Sequence, residues 1–215
     1  MTDVVGADQD MVARVRAATA LRRLAHAIVS HDIPASVFEM ITAGVDSWLP
    51  AVESAPGRSR SIETMKKHAF ERPPEGAAIG TFPDCVVSGD ANPMGLDVQF
   101  FREGEEAVSH AVLGPAFEGA PNRAHGGVVA AVFDDLMGFV LTIHESPAYT
   151  AELTVRYRRP TPVGEEIGFR ARLVDRKGRR LHIEAEATDR LGTEIATAEG
   201  LFITIPREGF ETREA

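Results

Sequence analysis

The run His125-Gly-Gly-Val-Val-Ala-Ala-Val-Phe-Asp-Asp135 places a flexible turn rich in backbone donors ahead of two carboxylates in an otherwise apolar segment. Two glycines let a backbone approach a ligand closely, and the apolar stretch after them reads as a helix whose first N–H groups face that ligand. The helix is expected over about residues 127–143. Val128, Val129, Val132, Phe133, Leu136, Met137, Phe139, Val140 and Ile143 leave it little polar surface, as expected of a helix enclosed by protein on most sides. Asp134 then reads as a buried acid, which is costly unless something uses or compensates it.

On both sides of this helix the hydrophobic period changes to two residues. Strands are expected at 79–87, 96–101 and 107–113, separated by turns at Asn92-Pro-Met-Gly95 and Glu103-Gly104, with an irregular loop over 114–121. After the helix, 150–157 alternates strictly, with Ala151, Leu153, Val155 and Tyr157 on one face and Thr150, Glu152, Thr154 and Arg156 on the other. Strands at 167–174, 181–188 and 194–205 follow, and the turns at 175–180 and 189–192 pair them antiparallel in sequence order. A sheet must cover its apolar face, and one helix among so many strands predicts an α+β domain whose sheet wraps that helix.

The N-terminal third has a helical period. Val12, Val15, Leu21, Leu24, Ile28 and Val29 mark an amphipathic helix over 9–31. A second starts near Pro34 and carries Val37, Phe38, Ile41, Val45, Trp48 and Leu49 until Pro50, and then Pro56-Gly57, break the pattern. Residues 54–76 read as a linker with one short helix. Its basic residues Arg58, Arg60, Lys66, Lys67 and Arg72 form either a solvated connecting surface or a patch that attracts phosphate. The expected division is a helical extension and linker over 1–76, a strand-and-helix domain over 77–207, and a tail over 208–215.

Composition limits the partners. At 215 residues, 44% hydrophobic and 26% charged, the chain can build a core and is not of the disordered or fibrous kind. A net charge of -9 argues against a general nucleic-acid binder. Cys85 is the one cysteine, so there is no internal disulfide and no thiolate metal site, which fits a reducing compartment such as the cytoplasm. No run of about 18 apolar residues is apparent, so no membrane span is expected. Asp3, Asp8 and Asp10 argue against a transit peptide.

Gly126 and Asp134 are eight residues apart, about 12 Å along a helix axis. One small carbonyl cannot touch both. If they serve one reaction centre, the acid comes from a second copy of the helix running antiparallel across a two-fold axis, which makes a homodimer a chemical requirement. The Gly126 N–H would then polarise a carbonyl while the partner's Asp134 attacks it or activates water, roles suited to acyl transfer. His125 would orient the carbonyl or rigidify the turn. The same run also reads as a plain tight loop entering a helix. Asp135, about 100° round the helix from its neighbour, is the more structural of the two acids.

Several pieces in order extend the pattern: Asn92-Pro-Met-Gly-Leu96, Phe117-Glu-Gly119, His125-Gly-Gly127 with Asp134, and Thr150-Ala-Glu-Leu-Thr-Val-Arg-Tyr-Arg-Arg-Pro160. Over roughly 83–206 the chain resembles the hotdog-fold thioesterases of the PaaI-like type, in particular acyl-CoA thioesterases with an N-terminal extension. The resemblance implies an antiparallel sheet curled round a central helix, a homodimer able to pair again into a tetramer, and hydrolysis of acyl-CoA to free acid and CoA. It implies no metal or redox cofactor. Gly126 looks like the oxyanion donor, His125 the substrate-orienting group, Asp134 the general base or nucleophile, and Thr150 the hydroxyl that positions water or Asp134. Gly127 joins Gly126 at the substrate, and Arg158 and Arg159 are candidates for the CoA phosphates, since guanidinium forks suit phosphate oxygens. Some relatives carry an amide a few residues before the histidine, and Asn122 is not clearly its equivalent. A non-catalytic acyl-CoA binding or sensing module on the same fold is the alternative; a hydratase uses a different Asp/His arrangement.

Overall fold

The structure, a computed structural model, describes residues 2–58, 71–79 and 82–206. The short helix expected between 54 and 76 and the tail over 208–215 lie outside the described residues or on their edge.

Helix α1 spans Thr2–Ser30 and α2 spans Ala35–Glu53. The strands are β1 (Phe101–Glu103), β2 (Glu106–Val112), β3 (Glu118–Ala120), β4 (Arg123–Ala124), β5 (Ala148–Tyr157), β6 (Glu166–Lys177), β7 (Arg180–Thr188) and β8 (Glu194–Thr204), with helix α3 (Gly126–Ile143) between β4 and β5. Six strands form one antiparallel sheet in the order β1-β2-β6-β7-β8-β5, and β3 pairs with β4 alone. The sheet folds round α3, which is the hotdog arrangement.

The helix can lie close because the sheet offers it a trough. Ala171 faces Ala185 and Ala185 faces Ala198, a row of methyl groups across β6, β7 and β8. Beside it, Ala187 faces Ala196, and Gly200 takes the place of a side chain under Met137. Into this trough α3 sends Val129, Val132, Phe133, Leu136, Met137 and Val140, all fully buried. Burying each such side chain contributes roughly 1.5–3 kcal/mol. Phe133 meets Phe169 of β6 edge to face at 5.5 Å, and Phe100 stacks obliquely on Phe139 at 4.8 Å. By length (18 residues) and mean hydropathy (1.7) alone, α3 is apolar enough to cross a bilayer. Its apolar side chains are turned onto the sheet instead, which is how the core helix of a hotdog domain meets the same measure.

The strands expected at 79–87 and 96–101 are absent from the described residues; only Phe101–Glu103 is a strand, with a single bridge from Ala78 to Phe101. Residues 82–99 form an irregular strap instead. Its turns are closed by Cys85 N–H to Phe82 O (2.9 Å), Ala91 N–H to Pro83 O (3.0 Å) and Gly89 N–H to Cys85 O (3.1 Å). A Cβ on Gly89 would sit 2.4 Å from the Cys85 nitrogen, so this turn is closed to any other residue. Val87, Val98 and Phe100 still bury, which explains the misleading alternation: the side chains fill the core without the backbone joining a ladder.

The extension also differs from its reading. The apolar stripe of α1 is not what docks: Val12, Leu21, Leu24 and Val29 stay exposed. The docking stripe is Arg14, Ala18, Arg22 and His26, at a spacing of four. Arg22 is buried and donates to the carbonyls of Asp90 and Asn92 and to the Asp97 carboxylate, each at 2.8 Å, while Arg14 pairs with Asp84 at 2.6 Å. These bonds fasten α1 to the strap. Helix α2 buries no residue, and it runs through Pro50 to Glu53 because a proline near the last turn removes only one helical hydrogen bond.

Candidate functional site

The site is built where edge strand β5 crosses α3. Thr150 donates from Oγ1 to Asp134 Oδ1 at 2.9 Å, and Tyr157 donates from its hydroxyl to the Gly126 carbonyl at 2.6 Å. Seven residues separate Thr150 from Tyr157, and an odd spacing puts two side chains on opposite faces of a regular strand. A β-bulge resolves this. Thr150 pairs with Phe202 and Glu152 with Leu201, leaving Ala151 as the extra residue. Below the bulge, Leu153, Val155 and Tyr157 pair with the inward positions Gly200, Ala198 and Ala196, and above it Thr150 pairs with inward Phe202. The bulge brings Thr150 onto the helix side, overturning the strict alternation expected for 150–157.

At the start of α3, His125 is the N-cap residue, and its Nδ1 accepts the Gly127 N–H at 2.9 Å. A neutral imidazole that accepts at Nδ1 carries its proton on Nε2, which leaves an Nε2–H donor. The backbone N–H of His125 donates to Phe117 O at 2.8 Å, and a Cβ on Gly119 would meet the His125 Cα at 2.8 Å, so the loop fits closely round this residue. Gly127, expected to face substrate, has its N–H occupied by His125. The Gly126 N–H has no hydrogen-bond partner among the described residues, and it sits at the positive end of the helix.

The two acids exchange the environments first assigned to them. Asp134 is exposed on the protomer, on an open stripe of α3 with Gly127, Ala130, Ala131 and Gly138, and Thr150 fixes its orientation. Asp135 is the acid that burial affects: desolvation pushes its pKa up, against hydrogen bonds from Ser88 and Cys85, and the Asp134 charge adds to the rise. The Cys85 thiol lies 3.6 Å from its Oδ2. A turn of 100° sends one carboxylate to the open face and the other under the strap.

Beside the helix N-terminus lies an open pocket of about 400 Å³, whose walls include His125, Gly126, Tyr157, Arg158, Arg159 and Arg123. Arg158 approaches Glu194 (Nε to Oε1, 3.5 Å), and Arg159 donates to the Glu194 carbonyl at 2.5 Å. Arg123 has no side-chain partner among the described residues. Neither Arg123 nor Tyr157 stands out as a site residue in the sequence; both flank the recognised motif, Arg123 being placed by the β3–β4 hairpin and Tyr157 by its inward pairing with Ala196 on β8. Among the described residues no cluster of His, Cys, Asp or Glu is arranged to hold a metal ion.

Helix α1 reaches this site indirectly. Ala116 N–H donates to His26 Nδ1 at 3.1 Å, and the imidazole meets the Phe117 ring edge-on at 5.1 Å. Burial and then the nearby Arg22 charge hold the His26 pKa below its ordinary value. The extension thus braces the turn whose Phe117 carbonyl holds His125.

Residues 122–196, which contain the His-Gly-Gly turn, Asp134, Thr150 and Tyr157, match the thioesterase superfamily. Among curated proteins, the acyl-coenzyme A thioesterase THEM4 of Bos taurus is 26% identical over 128 residues, 58% of this chain and 52% of that protein. The chain thus spans about half the length of this relative. Among solved structures, a thioesterase superfamily protein superposes with a TM-score of 0.75 at 24% identity, covering 88% of this chain and 90% of that one. This likeness extends the shared fold across the N-terminal helices as well as the strand-and-helix domain. E. coli PaaI matches 52% of this chain and 81% of its own at 15% identity, with a TM-score of 0.49.

Proposed function

We propose that this protein hydrolyses an acyl-CoA thioester to the free acid and CoA, in a homodimer where Asp134 of one protomer faces Gly126 of its partner. The Thr150–Asp134 hydrogen bond carries the reading, because it holds a solvent-facing carboxylate in one orientation with no cation paired to it among the described residues. The Gly126 N–H, without a partner among the described residues, supports it as the oxyanion donor. About 12 Å of helix separates the two groups, so the site is complete only with a second helix running antiparallel. The small residues on the open stripe of α3 favour such a close approach.

With Asp134 as general base, water attacks the thioester carbonyl while its proton passes to the Asp134 carboxylate. The oxyanion accepts the Gly126 N–H. Collapse then breaks the C–S bond, and the proton on Asp134 passes to the departing thiolate. With Asp134 as nucleophile, its carboxylate forms the bond to carbon, the C–S bond breaks to release CoA thiolate, and water then opens the resulting anhydride to the free acid, restoring the carboxylate and giving up a proton that the thiolate takes. His125 Nε2–H is free to orient the carbonyl, and Arg123, Arg158 and Arg159 suit the CoA phosphates.

Purified protein assayed against a panel of acyl-CoAs with a thiol reagent should release CoA with at least one chain length, and Asp134→Asn should abolish it while leaving a dimer by light scattering. Background rates with every acyl-CoA, or full activity in Asp134→Asn, overturn the proposal. Single turnover in ¹⁸O-water separates the two routes, since label enters Asp134 only if it is the nucleophile. Asp134 is exposed on the protomer, so a non-catalytic acyl-CoA binding module on this fold would carry no cost for a buried acid there. Saturable CoA binding by calorimetry without turnover would mark that second reading.

A further inference from the structure

Tyr157 is half-exposed, yet its hydroxyl makes a short hydrogen bond to the first peptide of α3. That peptide joins Gly126 to Gly127, and it is held at both ends: its C=O accepts from Tyr157 at 2.6 Å and its N–H donates to His125 Nδ1 at 2.9 Å. We propose that Tyr157 is a positioning residue that, with His125, clamps the Gly126–Gly127 peptide and thereby fixes the direction of the free Gly126 N–H. The proposal rests on the reading of that N–H as the oxyanion donor.

The physical need comes from the glycines. A residue without Cβ has wide backbone freedom, and two in succession at a helix start leave the terminal N–H groups poorly directed. The preceding peptide, which carries the Gly126 N–H, is anchored by its His125 C=O, which accepts the Val128 N–H at 2.9 Å and the Val129 N–H at 3.3 Å, and the His125 N–H donates to Phe117 O at 2.8 Å. With the following peptide clamped as well, Gly126 lies between two fixed points and its N–H keeps one direction. Such preorganisation is what makes an oxyanion donor effective, since no reorientation is required as charge develops.

Tyr157 also packs closely on Gly126. A Cβ there would lie 3.3 Å from both Cζ and the hydroxyl oxygen of Tyr157, so the ring would have to give by a few tenths of an ångström. Burial raises the Tyr157 pKa, which keeps the phenol a donor. Tyr157 reaches this peptide from the regular part of the β5–β8 ladder, and the bulge at Ala151 lets the same strand present Thr150 to the same helix. One strand thereby serves both the acid and the donor.

Tyr157→Phe keeps the ring and removes the hydroxyl. Relative to wild type, kcat should fall roughly tenfold, the loss of about one hydrogen bond's net worth, with KM and the melting midpoint little changed. Amide exchange measured by NMR should become several-fold faster at Gly127, while Asp134→Asn leaves that exchange as in wild type. Unchanged kcat, or a kcat loss that tracks a fall in melting midpoint with Gly127 exchange unaltered, overturns the clamp. If wild type turns over no acyl-CoA, the functional reading fails separately. Gly127 exchange in Tyr157→Phe still decides the clamp then, and an unchanged rate refutes it.

Discussion

Replacing Thr150 by Val removes one hydroxyl while keeping a β-branched side chain suited to a strand. The bond lost is Oγ1 to Asp134 Oδ1 at 2.9 Å, a hydrogen bond to an ionised acceptor. Such bonds contribute roughly 1.5–3 kcal/mol where water is excluded. Both residues are exposed on the protomer, so little of that appears as stability, and the melting midpoint should barely move. In the assembled site a closed interface would exclude water, and the same bond would set the direction of Asp134 during reaction. One order of magnitude in rate corresponds to about 1.4 kcal/mol, so kcat should fall between about 10- and 100-fold. The assay is CoA release under saturating acyl-CoA, with Thr150→Ser as the conservative variant that keeps the donor and most of the rate. A Thr150→Val enzyme with wild-type kcat would refute the idea that this hydroxyl orients the reacting carboxylate. A Ser variant as slow as the Val variant would refute it too.

Other expectations follow from packing and charge. Gly200→Ala should destabilise by roughly 1–3 kcal/mol in urea unfolding, as overpacking does, because its Cβ would sit 2.6 Å from Met137 Sδ and from the Phe202 ring. Asp135→Asn should raise the unfolding midpoint at neutral pH. The folded pKa of Asp135 is raised, so the stability tied to its protonated form is present below the ordinary aspartate pKa and lost as pH climbs through the folded value; the gain should vanish in acid titrations. Arg22→Ala strips a buried guanidinium from two carbonyls and the Asp97 carboxylate, and should release α1 by roughly 2–4 kcal/mol, read as faster proteolytic nicking within residues 9–30.

The central helix was legible because twelve apolar residues in the seventeen positions 127–143 admit few structures other than an enclosed helix. The antiparallel order of β6, β7 and β8 was legible for a similar reason, their turns being short. The false strands at 79–87 and 96–101 mark where periodicity fails: alternate burial of Val87, Val98 and Phe100 needs only extended backbone. The docking face of α1 was hidden because it is a polar stripe. Arginines at a spacing of four look like a solvated face until the carbonyls of the strap are placed against them.

Within the site, the motif itself marked His125, Gly126 and Asp134, and the family pattern marked Thr150. The spacing of Gly126 and Asp134 along a helix set the demand for a second copy, since helix rise is fixed by covalent geometry. The fold alone decided which acid faces outward, because that depends on the strap lying over Asp135 and leaving Asp134 bare. It also decided that Thr150 and Tyr157 share the helix side of β5. A one-residue bulge inverts the face of everything beyond it, and its presence depends on the register with β8, which sequence alternation along one strand does not encode.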